Sequence, residues 1–282
     1  MRSHILISTF IYFVLIAGVL ALTSCSTGGN ESPVIPDADR TVQVPDPNAW
    51  DTPAEEALTA VFLGTAVDPV SGKVVEGYAF YHPVRGNAKP DNPGKPGGGT
   101  TSCYGFLASG AKWKTVEHFI INADNSSGIS DIFVRDNMNM DVGKWEAAAD
   151  FDILGNGSLT TDPLEADWNQ PDGDNEVYFG SVNGAIAVTV VWGIFYGPPK
   201  GRELVEWDMI FNEAGYDWSS SGEGEKMDFE NIATHELGHS CGLGDLYTSS
   251  CTEETMYGYA TYAEIKKQTL EAGDIAGISS LY

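Results

Sequence analysis

Hydrophobic and polar positions divide the chain into an apolar leader, a proline-rich stretch and a patterned remainder. Ile5 to Leu22 is an 18-residue apolar run broken only by Ser8 and Thr9. As a helix it would reach about 27 Å, close to the hydrocarbon thickness of a bilayer. Residues 26–60 carry Pro33, Pro36, Pro45, Pro47 and Pro53 among Asp and Ala and read as an extended stalk. In 61–84, Val74, Tyr78, Phe80 and Tyr81 follow the turn signal Asp68-Pro-Val-Ser-Gly72, which predicts a short hairpin. Pro90 to Gly99 is a second linker and sets a boundary near residue 100.

Beyond that boundary the pattern is that of one α+β unit. Strands are predicted over 116–122, more weakly over 152–159, and over 176–182 and 185–196, the last two separated by the turn Asn183-Gly184. In 203–212, Leu204, Glu206, Asp208 and Ile210 alternate with Val205, Trp207, Met209 and Phe211, predicting another strand. Ile129, Ile132, Phe133, Met140 and Trp145 recur at helical spacing, predicting a long helix over 129–149, and two more helices are expected around 228–241 and 271–281. The organisation expected is a signal peptide (1–24), a lipidated stalk (25–60), a small hairpin region with its linker and no assigned role (61–100), and a catalytic domain (101–282).

Composition narrows the function. The 282 residues carry 40 Asp+Glu against 15 Lys+Arg, a formal charge of −25, yet 42% are hydrophobic and 11% aromatic. That is enough apolar surface to fold, so the chain is no disordered acidic tail. A surface this acidic repels phosphate, which excludes nucleic acid and anionic lipid as default partners.

The leader sets the compartment. Arg2 is the only base before Arg40, and the apolar run ends in Leu22-Thr23-Ser24-Cys25. That tetrapeptide resembles the lipobox of prokaryotic lipoproteins, in which Cys25 would be lipidated and become the mature N-terminus. An ordinary signal peptide (a secreted protein) and an uncleaved anchor are the alternatives, and the small residues before Cys25 favour the first reading. All three place the rest of the chain outside the cytoplasm, and lipidation or an uncleaved anchor would hold it at the membrane. Of the other cysteines, Cys241 and Cys251 bracket a ten-residue interval and are the first choice for a disulfide. Cys103 would then be a free thiol or a ligand.

Residues 235–245 read His-Glu-Leu-Gly-His-Ser-Cys-Gly-Leu-Gly-Asp. On a helix His235 and His239 leave the same face one turn apart and can share one cation. Glu236 projects beside that cation without being forced to bind it, which suits a base for metal-activated water. Asp228 is an N-cap candidate, and Gly242 suits the turn that would return Asp245 as third ligand. Three protein ligands with an open position mark catalytic rather than structural zinc.

With Thr255-Met256-Tyr257-Gly258, this segment resembles the metzincin metallopeptidases, and within them the matrixin-like branch. The strand Asp208–Asn212 with Trp218 after it, the closing segment Asp274–Tyr282, and Lys112-Trp113 before the strand ending Ile121-Asn122 are similar to matrixin elements, so the likeness covers about 103–282. It implies a zincin-like metzincin domain: a twisted, mostly parallel sheet of about five strands with three helices. It also implies zinc on His235, His239 and Asp245, with Glu236 deprotonating water and then protonating the leaving amine. Met256 would form a structural Met-turn, and the strand near 185–192 would be the edge to which an extended peptide substrate adds.

The sequence departs from that pattern in places. Asp245 stands where matrixins usually have His, and Gly258 stands where some branches have Tyr, so neither Tyr257 nor Tyr259 is given a catalytic role. A second, structural zinc is not expected, because only His82 and His118 remain in the mature chain. There is no complete propeptide cysteine motif. Cys103 masking the zinc as a thiolate is the lesser alternative to a buried or disulfide-bonded cysteine. Two acidic loops, with Asp150 and Asp152 in one and Asp172 and Asp174 in the other, are candidate calcium ligands, though solvated turns suit them better. The rival to a peptidase is a catalytically silent surface lipoprotein that binds calcium or a protein partner.

Overall fold

The computed structural model describes residues 60–84 and 103–282. The leader, Cys25, the stalk up to residue 59 and the linker 85–102 lie outside the described residues. Among the described residues no helix is long and apolar enough to cross a membrane.

The predicted elements form close to where the pattern puts them. Strands β1 (Ala60–Val67) and β2 (Val74–His82) are followed by β3 (Glu117–Asn122), helix α1 (Asp131–Ala149), β4 (Leu154–Leu159), β5 (Glu176–Gly180), β6 (Ala187–Ile194) and β7 (Glu203–Asn212). Two short strands, β8 (Trp218–Ser219) and β9 (Met227–Asp228), precede helices α2 (Phe229–Ser240) and α3 (Ala272–Leu281). The β1–β2 turn is built on Asp68, whose carboxylate accepts from the amides of Val70 at 3.0 Å and Ser71 at 2.9 Å.

One seven-stranded sheet runs in the order β1-β2-β6-β7-β5-β3-β4. Strands β4, β3, β5 and β7 are parallel, and β6, β2 and β1 continue the sheet antiparallel. The fold is α+β with three helices, as expected, and the two strands beyond the expected five are the β1–β2 hairpin. Although Asn183-Gly184 turns the chain, β5 and β6 do not pair, because β7 lies between them. Strand β7 is buried along almost all of its ten residues and so can only be central.

This order overturns one expectation. Strand β6 is not a free edge: β2 pairs with it from Glu76↔Gly193 to His82↔Ala187. The hairpin region expected to stand apart from the catalytic unit is part of its sheet.

Alternate residues build two cores. Ala187 and Val191 of β6 and Trp207, Met209 and Phe211 of β7 join the core on the helix face, with Trp145 of α1 and Ile232 and Leu237 of α2. Val188, Val190 and Trp192 of β6 and Ile210 of β7 join the core on the other face, with Ala166 from the β4–β5 connection. The Trp145 indole donates to Thr234 O at 2.9 Å and that of Trp113 to Ser240 O at 2.7 Å, fixing α2 against its neighbours.

The disulfide expected between Cys241 and Cys251 is replaced by Cys103–Cys251, and Cys241 is a buried free thiol. Cys241 ends α2 inside the core, 1% exposed, and burial pushes its thiol far up. Cys103 is therefore no thiolate mask for a metal.

Candidate metal centre and active site

Helix α2 carries the site because its first turn is capped and nearly all of its residues are buried. The Asp228 side chain accepts from Asn231 N at 2.9 Å, the predicted N-cap. Every residue from Asn231 to Ser240 is buried, so the imidazoles of His235 and His239 project into protein rather than solvent. Gly238 allows the close packing beneath: a Cβ there would lie 2.2 Å from Met256 Sδ. Met256 thus packs against the helix at Gly238, and the Asp274 carboxylate of α3 holds that turn by accepting from Thr255 N at 2.7 Å and Met256 N at 3.1 Å. Gly242, with φ +104°, turns the chain out of α2 and returns Asp245.

The two histidines have defined tautomers. His235 Nδ1 lies 2.7 Å from Thr255 O and His239 Nδ1 2.9 Å from Leu243 O. A carbonyl only accepts, so both Nδ1 atoms carry the proton and both Nε2 atoms present a lone pair. For His235 the 2.7 Å contact to Thr255 O sets the tautomer over the longer 3.3 Å approach of the Lys267 ammonium to the same Nδ1. Those lone pairs converge on Asp245, whose Oδ1 is 3.2 Å from His235 Nε2 and 3.5 Å from His239 Nε2. His235 Nε2 is buried with no hydrogen-bond partner. Two nitrogen lone pairs and a carboxylate oxygen facing one another can share one cation, and this donor set suits zinc. Burial works against charging either Asp245 or His239. Their mutual attraction outweighs it, holding the Asp245 carboxyl well below the usual range and raising His239.

Glu236 sits beside this centre, 0% exposed. Its Oε2 accepts from the Thr189 hydroxyl of β6 at 2.6 Å, and its Oε1 lies 3.0 Å from His82 Nδ1 of β2. Burial pushes its carboxyl up to about 7, against the pull of His239 and of the Thr189 hydroxyl. His82 is buried too, and its Nε2 faces the Lys267 ammonium at 3.5 Å. Lys267 can only donate, so His82 accepts at Nε2 and donates from Nδ1 to Glu236. Burial, then the neighbouring His235 and Lys267, hold His82 well below the usual imidazole range, so it is neutral. Lys267 is itself fully buried, donates to Tyr257 O, and is lowered by burial to about 8. The Phe80 ring stacks on His239 at 4.7 Å, and the His82 ring lies 3.9 Å from that of His235.

The structure therefore brings together His235, Glu236, His239, Asp245 and Met256, all foreseen. It adds Phe80, His82, Thr189 and Lys267, which were not. His82 carried the one usable signal, as a histidine to spare in a chain that has five. Lys267 follows Lys266 in what reads as a surface charge run. The calcium candidates do not gather. Asp150 is the exposed left-handed cap of α1 at φ 53°, and Asp152 is exposed two residues on. Asp172 and Asp174 form an exposed turn in which Asp174 N donates to Asp172 Oδ1 at 2.9 Å. The carboxylates that do converge are Asp167, Glu206 and Asp208, on the face of the sheet away from α2.

No curated protein matches the chain. The sequence model of the Matrixin family, Peptidase_M10, matches residues 112–282, which takes in α1, all strands from β3 onward, α2 with its histidines, Met256 and α3, and leaves out the β1–β2 hairpin. That match spans more than half of the chain and coincides with the zinc-competent geometry, so the protein belongs to the matrixin family of zinc metallopeptidases.

Proposed function

We propose that the protein is a zinc-dependent endopeptidase working outside the cytoplasm, tethered to the membrane through its N-terminus. The observation that carries the catalytic part is the pair of imidazoles pinned by carbonyls at Nδ1, with the buried, unpartnered His235 Nε2 aimed at Asp245 next to Glu236. His235, His239 and Asp245 would hold the metal. Zinc bound there supplies Lewis acidity toward water and toward the scissile carbonyl. Glu236 takes the proton of the attacking water at a carboxylate oxygen and returns it to the leaving nitrogen. Burial between α2 and β6 raises its proton affinity, which suits a group that must carry the proton from one transfer to the next. Thr189 keeps the other carboxylate oxygen in place.

The location rests on the apolar leader ending at Cys25 and gains support from the Cys103–Cys251 disulfide, a bond that persists in oxidising compartments. Zinc content near one per chain, with peptide-pool hydrolysis that disappears in Glu236→Ala while the zinc stays, is the expected result. Undiminished hydrolysis by that variant would overturn the mechanism. Labelling of Cys25 by a radioactive fatty acid in cells, absent in Cys25→Ser, checks the tether.

A further inference from the structure

We infer that the β1–β2 hairpin is a built-in plug that holds this peptidase latent: β2 fills the strand position of the substrate while His82 takes the general base. The inference rests on the zinc endopeptidase reading and adds the state in which the full chain is made.

Three sets of contacts carry it. The first is the sheet. A peptide that adds to β6 needs its edge hydrogen bonds, and β2 uses them from residue 76 to residue 82. Ile186 N just before β6 also donates to His82 O at 2.7 Å, and Ala260 N after the Met-turn donates to Pro83 O at 3.5 Å. The second is the chemistry. The Glu236 oxygen that is not held by Thr189 is held by His82, so the base that must meet water already accepts a side-chain hydrogen bond. The third is access. Under Phe80 and His82, His235 and Glu236 are 0% exposed and His239 is 1% exposed, and no peptide carbonyl reaches groups so covered. All three sets come from a segment outside the stretch that matches the matrixins, so the peptidase fold does not itself require them.

Hairpin and domain fit closely. A Cβ on Gly77 would lie 2.6 Å from the buried Trp192 ring of β6. Val75 and Ala79 enter the core on the outer face of the sheet, while Phe80 enters the core on the helix face. A bond network this extensive opens rarely, and the fraction of chains open at any moment scales the observed rate.

The test uses the full chain loaded with zinc. Gly77→Leu drives a side chain into Trp192 and wedges β2 from β6 without altering any residue of the site. We expect zinc transfer to a colorimetric chelator, and hydrolysis of a quenched peptide pool, to rise at least about tenfold over the parent chain. Equal zinc-transfer rates in the two chains would overturn the plug, as would hydrolysis by the parent at the variant's rate. That second outcome would leave the endopeptidase reading intact. Faster zinc transfer with no hydrolysis would uphold the plug and remove the endopeptidase reading. Should Gly77→Leu fail to fold, a full chain carrying the recognition sequence of an unrelated protease within residues 85–102 replaces it. Zinc transfer is then read before and after cutting, with a tenfold rise expected and no change counting against the plug.

Discussion

The sheet buries ionisable groups on both of its faces, and the two sets solve the problem of buried charge in opposite ways. On the helix face, three imidazoles, two carboxylates and the Lys267 ammonium lie within one cluster, so positive and negative groups offset each other and a cation completes the set. On the other face, Glu206 and Asp208 of β7 meet Asp167, and the groups that act on them most strongly are backbone amides and other carboxylates. There the help comes from backbone amides: Asp167 N donates to Asp208 Oδ2 at 2.9 Å, Glu176 N to Asp208 Oδ1 at 3.2 Å, and Gly173 N to Glu206. Those amides do not suffice. Burial, then the neighbouring carboxylates, push Glu206 up to about 10 and Asp208 well above its usual value, and burial brings Glu176 to about 7. One strand thus presents a metal-competent centre's supporting core on one side and a proton-holding carboxylate group on the other.

The widest separation between the two regions should come from zinc. If the helix-face cluster is the metal centre, free zinc at about a thousand times its dissociation constant stabilises the fold by about 4 kcal/mol. His239→Ala should lose that gain in urea unfolding, whereas Glu206→Gln/Asp208→Asn should keep it in full. A zinc-dependent gain that survives His239→Ala, or that vanishes in the carboxylate variant, would reverse the assignment.

The second separation comes from pH, measured with the metal chelated. Glu206 holds its proton in the folded state up to about 10, whereas its ordinary value is 4.5. The folded chain therefore binds a proton that the unfolded chain has released, and the resulting stability is complete below about pH 4.5 and is lost as pH rises toward 10. For one proton the slope is about 1.4 kcal/mol per pH unit, or about 2.7 kcal/mol between pH 7 and 9. Glu206→Gln/Asp208→Asn should flatten that decline. Equal slopes in the two proteins would show that the group does not hold its proton.

The same contrast explains what was legible in the sequence. His235, Glu236, His239, Gly242 and Asp245 were readable because a helix and its exit turn are local, and eleven residues fix their relation. The alternation of β7 was readable too, and it placed Glu206 and Asp208 together on one face. It gave no reason to expect that face to be buried, because the cover comes from the β4–β5 connection, around Ala166 and Asp167. Sequence separation hid the rest. His82 reaches Glu236 across 154 positions, and Cys103 pairs with Cys251 across 148. Nothing in a local pattern distinguishes a hairpin standing free from one that adds to β6. Lys267 carries no local signal, because a lysine in a polar run normally faces water, and only the tertiary fold supplies the acceptors that bury it.

The finest test of the comparison concerns how firmly each face positions a carboxylate. Asp208 is held by two backbone amides, which no side-chain truncation removes. Glu236 depends on side chains, Thr189 and, while the hairpin is seated, His82. Thr189→Val keeps the shape and the strand preference of β6 and deletes only the 2.6 Å hydrogen bond. The loss is worth about 1.4 kcal/mol, so hydrolysis by the chain with its hairpin displaced should fall about tenfold. Zinc affinity should stay unchanged, because neither histidine nor Asp245 touches that hydroxyl. A weaker zinc site in Thr189→Val would mean that the threonine supports the fold of the centre as a whole. An unchanged rate would mean that Glu236 is held by packing alone, as a carboxylate enclosed by α2 and β6 on the metal side of the sheet.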